Sequence, residues 1–248
     1  MMRYLVFRLY APLASWGTPA VGEERPTASY PGRSAIIGLL AAALGIRRDE
    51  AERLDALNQN IRLAVKQHSP GRLLRDYHTV QIPPSRKGQR FHTRRDELDR
   101  PSNELGTIIS KRDYRSDGLW IIALRAGADA DDGLLGELAE ALARPRFALY
   151  FGRRACPPAA PLAPRCITAE NWREALDHVF PPIAGETKDA LVPAHDRLYA
   201  WEGDAPDLDG DTAGVESSDV WDMPRDRRRW QFGPRLEFRR YVHSAGGR

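Results

Sequence analysis

The sequence has little of what a disulfide framework, a metal site or a membrane span requires. Its two cysteines, Cys156 and Cys166, are too few for a disulfide framework and fit a reducing compartment. The six histidines are scattered without metal-ligand spacing, so we expect no metal site and no cofactor. Residues 34–46 are too short an apolar run to cross a bilayer, and Arg8 interrupts the run that a signal peptide needs. We therefore expect a soluble, cytoplasmic protein without a membrane partner.

Charge is arranged in blocks along the chain. The net charge is only +3, yet the isoelectric point is near 9.0. Residues 83–118 hold nine Arg or Lys against six acids, and residues 225–240 hold seven Arg against two acids. Residues 202–222 hold eight acids and no Arg or Lys. Basic blocks are typical of a surface that binds a polyanion, with the acidic segment as a solvated loop nearby. Solvated loops of either sign are an equally good interpretation.

The most informative stretch is residues 25–48, RPTASYPGRSAIIGLLAAALGIRR. Its apolar residues repeat at helical spacing, Ser34 is placed to cap the N-terminus, and Gly45 is a natural stop. The preceding loop carries Arg25, Tyr30 and Arg33. Because the helix dipole and the unsatisfied N–H groups act together, this helix start could attract phosphate. An ordinary core helix with a solvated arginine before it is the alternative.

Hydrophobic periodicity predicts alternating strands and helices elsewhere. Strands are expected over residues 3–10, 61–67, 73–82, 107–114, 119–125 and 147–151. Helical segments are expected over residues 49–59 and 132–143. The alternation in 61–67 indicates a half-buried strand, and residues 11–32 are expected to form a long, ordered loop. The polar segment 83–118 is expected to project as a long hairpin.

The order of these elements predicts the fold class. Strand, helix, strand, strand, helix, strand is the βαββαβ order of a ferredoxin-like fold, which RNA recognition motifs share. We predict an α+β, RRM-like domain over residues 1–156, with a thumb-like β-hairpin inserted at about 83–117. Residues 157–248 are predicted to form a small, mainly-β unit. Its expected parts are a short helix near 169–178, strands near 190–201, the acidic loop 202–222 and a final strand pair near 228–242.

Two motifs suit nucleic-acid binding. The sequence FGRRACP places Gly152 beside two arginines, where a backbone without a side chain can approach phosphate and guanidinium groups can bind it. In the hairpin segment, basic residues alternate with aromatic ones, a pattern that suits single strands, where each stacked base contributes roughly 1–3 kcal/mol. A solvated turn and a mobile charged loop are the respective alternatives.

One group of residues could support catalysis. Tyr77 and His78 could move protons in metal-independent RNA cleavage, and Lys111 could stabilise the charged transition state. Tyrosine and histidine in a strand are more often packing residues, and no spacing rule connects Lys111 to them. The sequence therefore favours no catalytic residue.

Four stretches in one order resemble a known family. They are YLVFRLYAPLASWG, RPTASYPGRSAIIGLLAAALGIRRDE, LRDYHTV and ALYFGRRACP. They are similar to the CasD subunit of the type I-E CRISPR Cascade complex, over most of the first 165 residues. The resemblance implies a non-catalytic subunit that grips the 5′ repeat-derived handle of the CRISPR RNA. It also implies a ferredoxin-like body with a thumb-like hairpin that packs on the neighbouring backbone subunit and the RNA.

The resemblance also implies partners and binding residues. The expected partners are the CRISPR RNA 5′ handle, the Cascade backbone and large subunits and, through the complex, target DNA. The expected RNA-binding residues are Trp16, Gly17, Arg25, Tyr30, Arg33, Ser34, Tyr77, His78, Arg94, Lys111, Arg112, Gly152, Arg153 and Arg154. A related type I-C subunit is a metal-independent repeat endonuclease, so an endoribonuclease is the alternative function. A pure assembly protein with a basic surface is a third.

Overall fold

The computed structural model describes residues 1–20, 22–85, 88, 90–128, 130–131, 133–183, 196–226, 229 and 231–243. In this part of the chain nine strands form one sheet. The strands are β1 (Met2–Ala14), β2 (Glu24–Arg25), β3 (Ile61–Ser69), β4 (Arg72–Ile82), β5 (Gly106–Ala126), β6 (Arg165–Ala169), β7 (Asp196–Trp201), β8 (Glu216–Asp226) and β9 (Gln231–His243). The helices are α1 (Arg33–Leu44), α2 (Ala51–Gln59), α3 (Arg94–Leu98), α4 (Leu134–Ala143) and α5 (Trp172–Leu176), with short 3₁₀ turns at Ser102–Glu104 and Ala205–Asp207.

The strands follow the order β6–β1–β5–β3–β7–β9–β8, and all neighbours along this path are antiparallel. β2 and β4 pair with β5 outside the path, β2 in parallel and β4 in antiparallel register. The 21-residue strand β5 therefore has two roles. Its C-terminal part lies between β1 and β3, and its N-terminal part forms one arm of a hairpin with β4.

Both faces of the central sheet are covered. Leu5, Phe7 and Leu9 of β1 pack in a core with α1, α2 and α4. Tyr4 and Val6, on the opposite face of the same strand, pack in a second core with α5. A strand covered on both sides reads as a continuous apolar run, and β1 and β3 are buried along most of their length. The expectation that residues 61–67 form a half-buried strand is therefore wrong: they form a buried one.

The start of α1 differs from the expectation, whereas its end agrees. The N-cap residue is Gly32, so Ser34 lies in the first turn and does not cap the helix. Gly45 adopts the left-handed conformation, with φ of 77°, and its N–H caps the helix at the carbonyl of Ala42. Glycine adopts this conformation without steric cost, which makes it a helix stop.

Residues 147–151 are not a strand, contrary to the expectation. The backbone N–H of Phe147 donates to the carbonyl of Ala42 in α1, and that of Phe151 donates to the carbonyl of Cys156. These bonds replace ladder pairing, while Phe151 itself is buried in the core. The strand that pairs with the free edge of β1 is β6, further along the chain.

The projecting hairpin is present but begins earlier than the expected 83–117. Its arms are β4 and the first half of β5, paired from Arg72–Ser116 to Ile82–Gly106. The connection, residues 83–105, contains α3 and a 3₁₀ turn, and positions 86, 87 and 89 lie outside the described residues. The strands expected at 107–114 and 119–125 are one strand, bent at Asp117, whose φ is 55°.

The C-terminal strands extend the same sheet. β7 pairs with β3, and β6 pairs with β1, so the sheet is continuous across residue 156. The domain division at that residue remains a prediction about folding units. The expected short helix is α5, and the final strand pair is β8 with β9. Of the strand expected near 190–201, residues 196–201 form β7 and the rest lies outside the described residues.

The acidic segment 202–222 is not a solvated loop, because much of it is paired or folded. Glu202 forms a buried ion pair with Arg33, and Asp209 binds both Arg173 and Arg240. From residue 216 onward the segment is strand β8. In the described part of the chain, no helix is both long and apolar enough to span a bilayer.

Candidate nucleic-acid interface

A cleft of about 1330 Å³ runs along α1, between the N-terminal loop and the C-terminal strands. Its floor is one face of α1, made of small side chains that recur at helical spacing. These floor residues are Ser34, Ala35, Gly38, Ala41 and Ala42. Because their side chains are short, a ligand can approach the helix closely.

The cleft brings together seven of the expected RNA-binding residues. They are Trp16, Gly17, Arg25, Tyr30, Ser34, Gly152 and Arg153. These residues come from two segments more than a hundred positions apart. The two segments meet through the backbone of Ser15, whose N–H donates to the carbonyl of Phe151 at 3.0 Å.

Gly152 allows this close approach. Its φ is 81°, and a Cβ atom at this position would lie 1.8 Å from the carbonyl oxygen of Ser15. Both the backbone conformation and the available space therefore require glycine. In the structure, the backbone of Gly152 packs against the N-terminal loop. Its expected approach to phosphate stays a prediction.

The expected loop 11–32 is shorter in the structure, because residues 11–14 belong to β1 and Glu24–Arg25 form β2. Described residues of the loop are held by hydrogen bonds to the body. The indole N–H of Trp120 donates to the carbonyl of Ser29 at 2.9 Å, and the amide of Gln67 donates to the same oxygen at 2.6 Å. Trp16 packs edge-on against Trp120, with ring centroids 5.1 Å apart. It is only 3% exposed, so it anchors the loop and contributes little surface to the cleft.

Arg153 is held at the mouth of the cleft. Its guanidinium lies 4.5 Å from the ring centroid of Tyr114 and donates to the carbonyl of Arg25 at 3.1 Å. This cation–π contact and hydrogen bond fix the orientation of the charge. Arg154, the next residue, is exposed and does not line the cleft.

Arg33 does not reach the cleft. It is 1% exposed, and its guanidinium donates to both carboxylate oxygens of Glu202, at 2.8 and 2.6 Å. The same group donates to Asn58 and to the carbonyl of Ile61. Its backbone N–H, at the start of α1, donates to the carboxylate of Asp222 at 2.6 Å. The protein's own carboxylate therefore occupies the helix start at which the sequence suggested phosphate.

A buried ion network connects the cleft walls. Arg235 donates to Asp222 at 2.6 and 2.9 Å and to Glu237 at 2.6 Å, and the hydroxyl of Tyr30 donates to Glu237. Burial and the neighbouring Glu237 carboxylate raise the pKa of Tyr30 above its ordinary value. Burial alone would lower the pKa of Arg235, but its hydrogen bond and charge interaction with Asp222 raise it. Both side chains therefore keep their protons near neutral pH.

Five of the expected residues lie on or beside the hairpin and do not line the cleft. Tyr77 is 64% exposed and faces Lys111 across the ladder, and the Lys111 ammonium also binds Glu24 at 3.2 Å. This hydrogen bond to Glu24 and the neighbouring Tyr77 raise the pKa of Lys111. The remaining three are His78, Arg94 and Arg112.

The cleft also contains residues that sequence reasoning missed. Three exposed aromatic residues line it: Phe147, Tyr150 and Trp221. Three more arginines line it: Arg47, Arg48 and Arg239. The pair Arg47-Arg48 was visible as the basic end of the helix segment, but Trp221 lies within the acidic block, where nothing in the sequence indicated a binding surface. Among the described residues, no group of His, Cys, Asp or Glu is arranged to hold a metal ion.

Comparison with known proteins identifies the family. The family model described as CRISPR-associated protein (Cas_Cas5) matches residues 4–236. The chain belongs to the Cas5 family. A relative from Escherichia coli (strain K12), "CRISPR system Cascade subunit CasD", is 34% identical over 194 residues, which are 75% of this chain and 80% of the relative. The resemblance noted in the sequence is thus confirmed.

Solved structures agree with this Cas5 assignment. A chain of a "CRISPR RNA-guided surveillance complex" matches with a TM-score of 0.64 and 26% identity, over 97% of this chain and 90% of the other. A second match, "Crystal structure of Cas protein", has a TM-score of 0.54 and 25% identity, over 97% and 94%. The mixed architecture with a large antiparallel sheet is therefore that of Cas5 structures.

Proposed function

We propose that this Cas5 chain is a CasD-type subunit of a Cascade surveillance complex, which holds the 5′ handle of the CRISPR RNA in the cleft and does not cut it. The observation that carries the proposal is the convergence of seven expected RNA-binding residues on one cleft. The CasD relative and the surveillance-complex match support it. The expected cytoplasmic location belongs to the same proposal.

The charge of the cleft suits a nucleic-acid backbone. Five arginines line it: Arg25, Arg47, Arg48, Arg153 and Arg239. Its two acids, Asp222 and Glu237, are both bound to Arg235. The cleft therefore presents more cations than anions to a ligand, and both of its carboxylates are already hydrogen-bonded within the protein. Guanidinium groups bind phosphate oxygens through charge-assisted hydrogen bonds.

We infer a ferredoxin-like arrangement for the body of the chain. The antiparallel order β6–β1–β5–β3 and the helices α1 and α4 between these strands support it. In this arrangement the fourth strand is β6 rather than residues 147–151. That shift leaves Phe147 and Tyr150 free to line the cleft.

The geometry of the hairpin supports a binding role over catalysis. Tyr77 and His78 are neighbours on one strand, and successive side chains of a strand point to opposite faces. Tyr77 faces Lys111, whereas the imidazole of His78 lies 4.0 Å from the carboxylate of Asp76. The two side chains considered as proton carriers for RNA cleavage therefore lie on opposite faces of the hairpin.

The hairpin has features suited to a protein partner. It exposes five large apolar side chains, and exposed apolar patches of this kind mark interaction surfaces. These are Leu73, Leu74, Tyr77, Ile108 and Ile109. By strand alternation, Leu73, Tyr77 and Ile109 share one face of the hairpin, and Leu74 and Ile108 share the other. We assign the first of these faces to the neighbouring backbone subunit of the complex. The large subunit, and target DNA through it, complete the proposed partners.

The proposal is tested by incubating purified protein with labelled repeat RNA and chelator, followed by native and denaturing gels. We expect a mobility shift with intact RNA. Arg153→Ala should weaken binding about 10-fold and reduce the slope of log affinity against log salt by about 0.7, as for one lost phosphate contact. Arg154→Ala, next in sequence but outside the cleft, is the matched control and should change little.

Two outcomes would overturn this function. A clean cut in the repeat that persists with chelator and disappears in His78→Ala would establish the endoribonuclease. Absence of any RNA binding by the wild-type protein, with normal assembly into the complex, would establish a pure assembly protein.

A further inference from the structure

We propose that Trp221, on β8, stacks on a base of the bound RNA, so that the C-terminal strands form the base-binding wall of the cleft. This inference rests on the proposed function, because it concerns the same cleft and the same ligand. It assigns a recognition role to β8, which lies partly in the acidic segment.

The exposure of Trp221 is unusual for this chain. Its side chain is 60% exposed, whereas Trp16, the next most exposed of the described tryptophans, is only 3% exposed. The other three are Trp120, Trp172 and Trp201. Leaving an indole in water forgoes the free energy of burying a large apolar surface. A ligand that covers the ring would recover it.

The backbone of β8 directs Trp221 into the cleft. In a regular strand, side chains 221 and 222 would point to opposite faces. Here both Trp221 and Asp222 line the cleft, and the pairing register with β9 shifts between Val220 and Met223. Such irregularities re-aim side chains. Asp222 is fixed by Arg235 and by the first N–H of α1, so the backbone next to Trp221 is held in place.

The rest of the cleft matches a flat ring with a phosphate attached. Two further aromatic side chains, Phe147 and Tyr150, line it and are 41% and 39% exposed. On the floor of the cleft, α1 presents small side chains at Ser34, Gly38 and Ala42, beside Leu39. Aromatic residues beside arginines are the combination that single-stranded nucleic acids use, by stacking bases and pairing phosphates.

Charge favours RNA over a protein as the occupant. An apolar groove for a protein helix needs no excess of cations, yet five arginines line this cleft and both of its acids are paired internally. The ligand must therefore bring negative charge together with flat apolar surface. A single-stranded ribonucleotide segment has both.

The first test measures affinity for handle RNA. Trp221→Ala should weaken binding about 10-fold, and Trp221→Phe should stay within about threefold, because phenylalanine keeps an aromatic face. Tyr241→Ala is the matched control, since Tyr241 is also 60% exposed and lies on β9 but does not line the cleft. It should bind as wild type. Circular dichroism checks that all three variants fold.

The second test identifies the stacked base. RNAs with a single abasic site at each handle position in turn are titrated against wild type and Trp221→Ala. One abasic position should weaken the wild-type complex about 10-fold and leave the Trp221→Ala complex unchanged, because the base and the ring form one contact. Quenching of tryptophan emission by RNA should be largely lost in Trp221→Phe.

The outcomes separate this inference from the proposed function. If wild type binds handle RNA and Trp221→Ala binds equally well, stacking is refuted and the handle-binding function stands. If Trp221→Ala impairs only the joining of another Cascade subunit, the ring is a protein contact and the inference fails. If wild type binds no RNA, both fall together.

Discussion

The cleft and the hairpin carry the expected RNA-binding residues in two different ways. In the cleft, the walls are fixed by buried ion pairs and by a glycine contact that admits no side chain. On the hairpin, the corresponding residues are exposed or half-buried, and their ion pairs lie at the surface. A site that is ordered before binding loses less conformational entropy when the ligand arrives. This difference fits the proposed roles, in which the cleft binds RNA within the subunit alone and the hairpin makes contacts that a partner completes.

Replacing one arginine in each region compares the stability that their ion pairs provide. The Arg33 substitution should have the largest effect of those predicted here. Arg33→Ala removes one member of a buried ion pair and leaves Glu202 short of a partner, which costs about 3–5 kcal/mol. Arg94→Ala removes a surface pair with Glu97, in which the arginine side chain is 47% exposed, and should cost less than about 1 kcal/mol. Urea unfolding at pH 7 gives both values.

If Arg33→Ala and Arg94→Ala lowered the free energy of unfolding equally, the cleft would not be more rigidly held than the hairpin. A loss below about 1 kcal/mol for Arg33→Ala would mean that the network is not a source of stability. Arg33→Lys is a useful further variant, since it keeps the charge and loses the bidentate geometry with Glu202. The free energy of unfolding of Arg33→Lys should lie between those of wild type and Arg33→Ala.

Gly152 and Gly88 have similar φ angles but different surroundings. Substituting each by alanine therefore separates the cost of backbone strain from the cost of a steric clash. Gly152 and Gly88 have φ of 81° and 83°, but no described atom lies within 4 Å of a Cβ built on Gly88. Gly88→Ala should cost about 1–2 kcal/mol, the price of the left-handed conformation. Gly152→Ala should cost about 1–3 kcal/mol more, because its Cβ would collide with the carbonyl oxygen of Ser15. Thermal unfolding distinguishes them, and indistinguishable melting temperatures would show that the two loops can separate freely.

The smallest effect is expected on the face of the hairpin. Tyr77→Ala removes an exposed ring whose cross-strand neighbour is Lys111. Such pairs contribute about 0.2–1 kcal/mol, so the stability of the subunit should change little. Handle-RNA affinity of the isolated subunit should stay within twofold, measured by the same native gels. A 10-fold loss of affinity would move the RNA site from the cleft to the hairpin.

Sequence patterns predicted the elements whose structure depends mainly on neighbouring residues. The spacing of Ile36, Leu40 and Leu44 predicted α1, and Gly45 marked its end. The β-propensity on either side of the basic segment predicted the hairpin, although the arm β4 was assigned to the body. Local reasoning and the family resemblance together placed the cleft residues on the N-terminal loop and the FGRR turn, but neither could show that these two segments meet.

The predictions were wrong where the structure of a segment depends on residues far away in the sequence. Residues 147–151 have the composition of a strand, but backbone donors in this region bond to carbonyls of α1 and to a local turn. The acids Glu202, Asp209 and Asp222 suggested a solvated loop because their arginine partners are far away in sequence. Arg33 suggested a phosphate ligand for the same reason. Charge alone does not distinguish a buried ion pair from a binding surface.

Strand β5 connects the hairpin rigidly to the central sheet and so fixes how far the hairpin extends. The strand runs from the far end of the hairpin into the centre of the sheet, and β1 pairs with it at Arg115 and Ser116, where the hairpin leaves the body. No flexible linker joins the two parts. The eleven residues from Gly106 to Ser116 extend over roughly 35 Å at the usual rise of a strand. Under the proposed function, the length of the hairpin sets the distance between the RNA in the cleft and the subunit that contacts the hairpin.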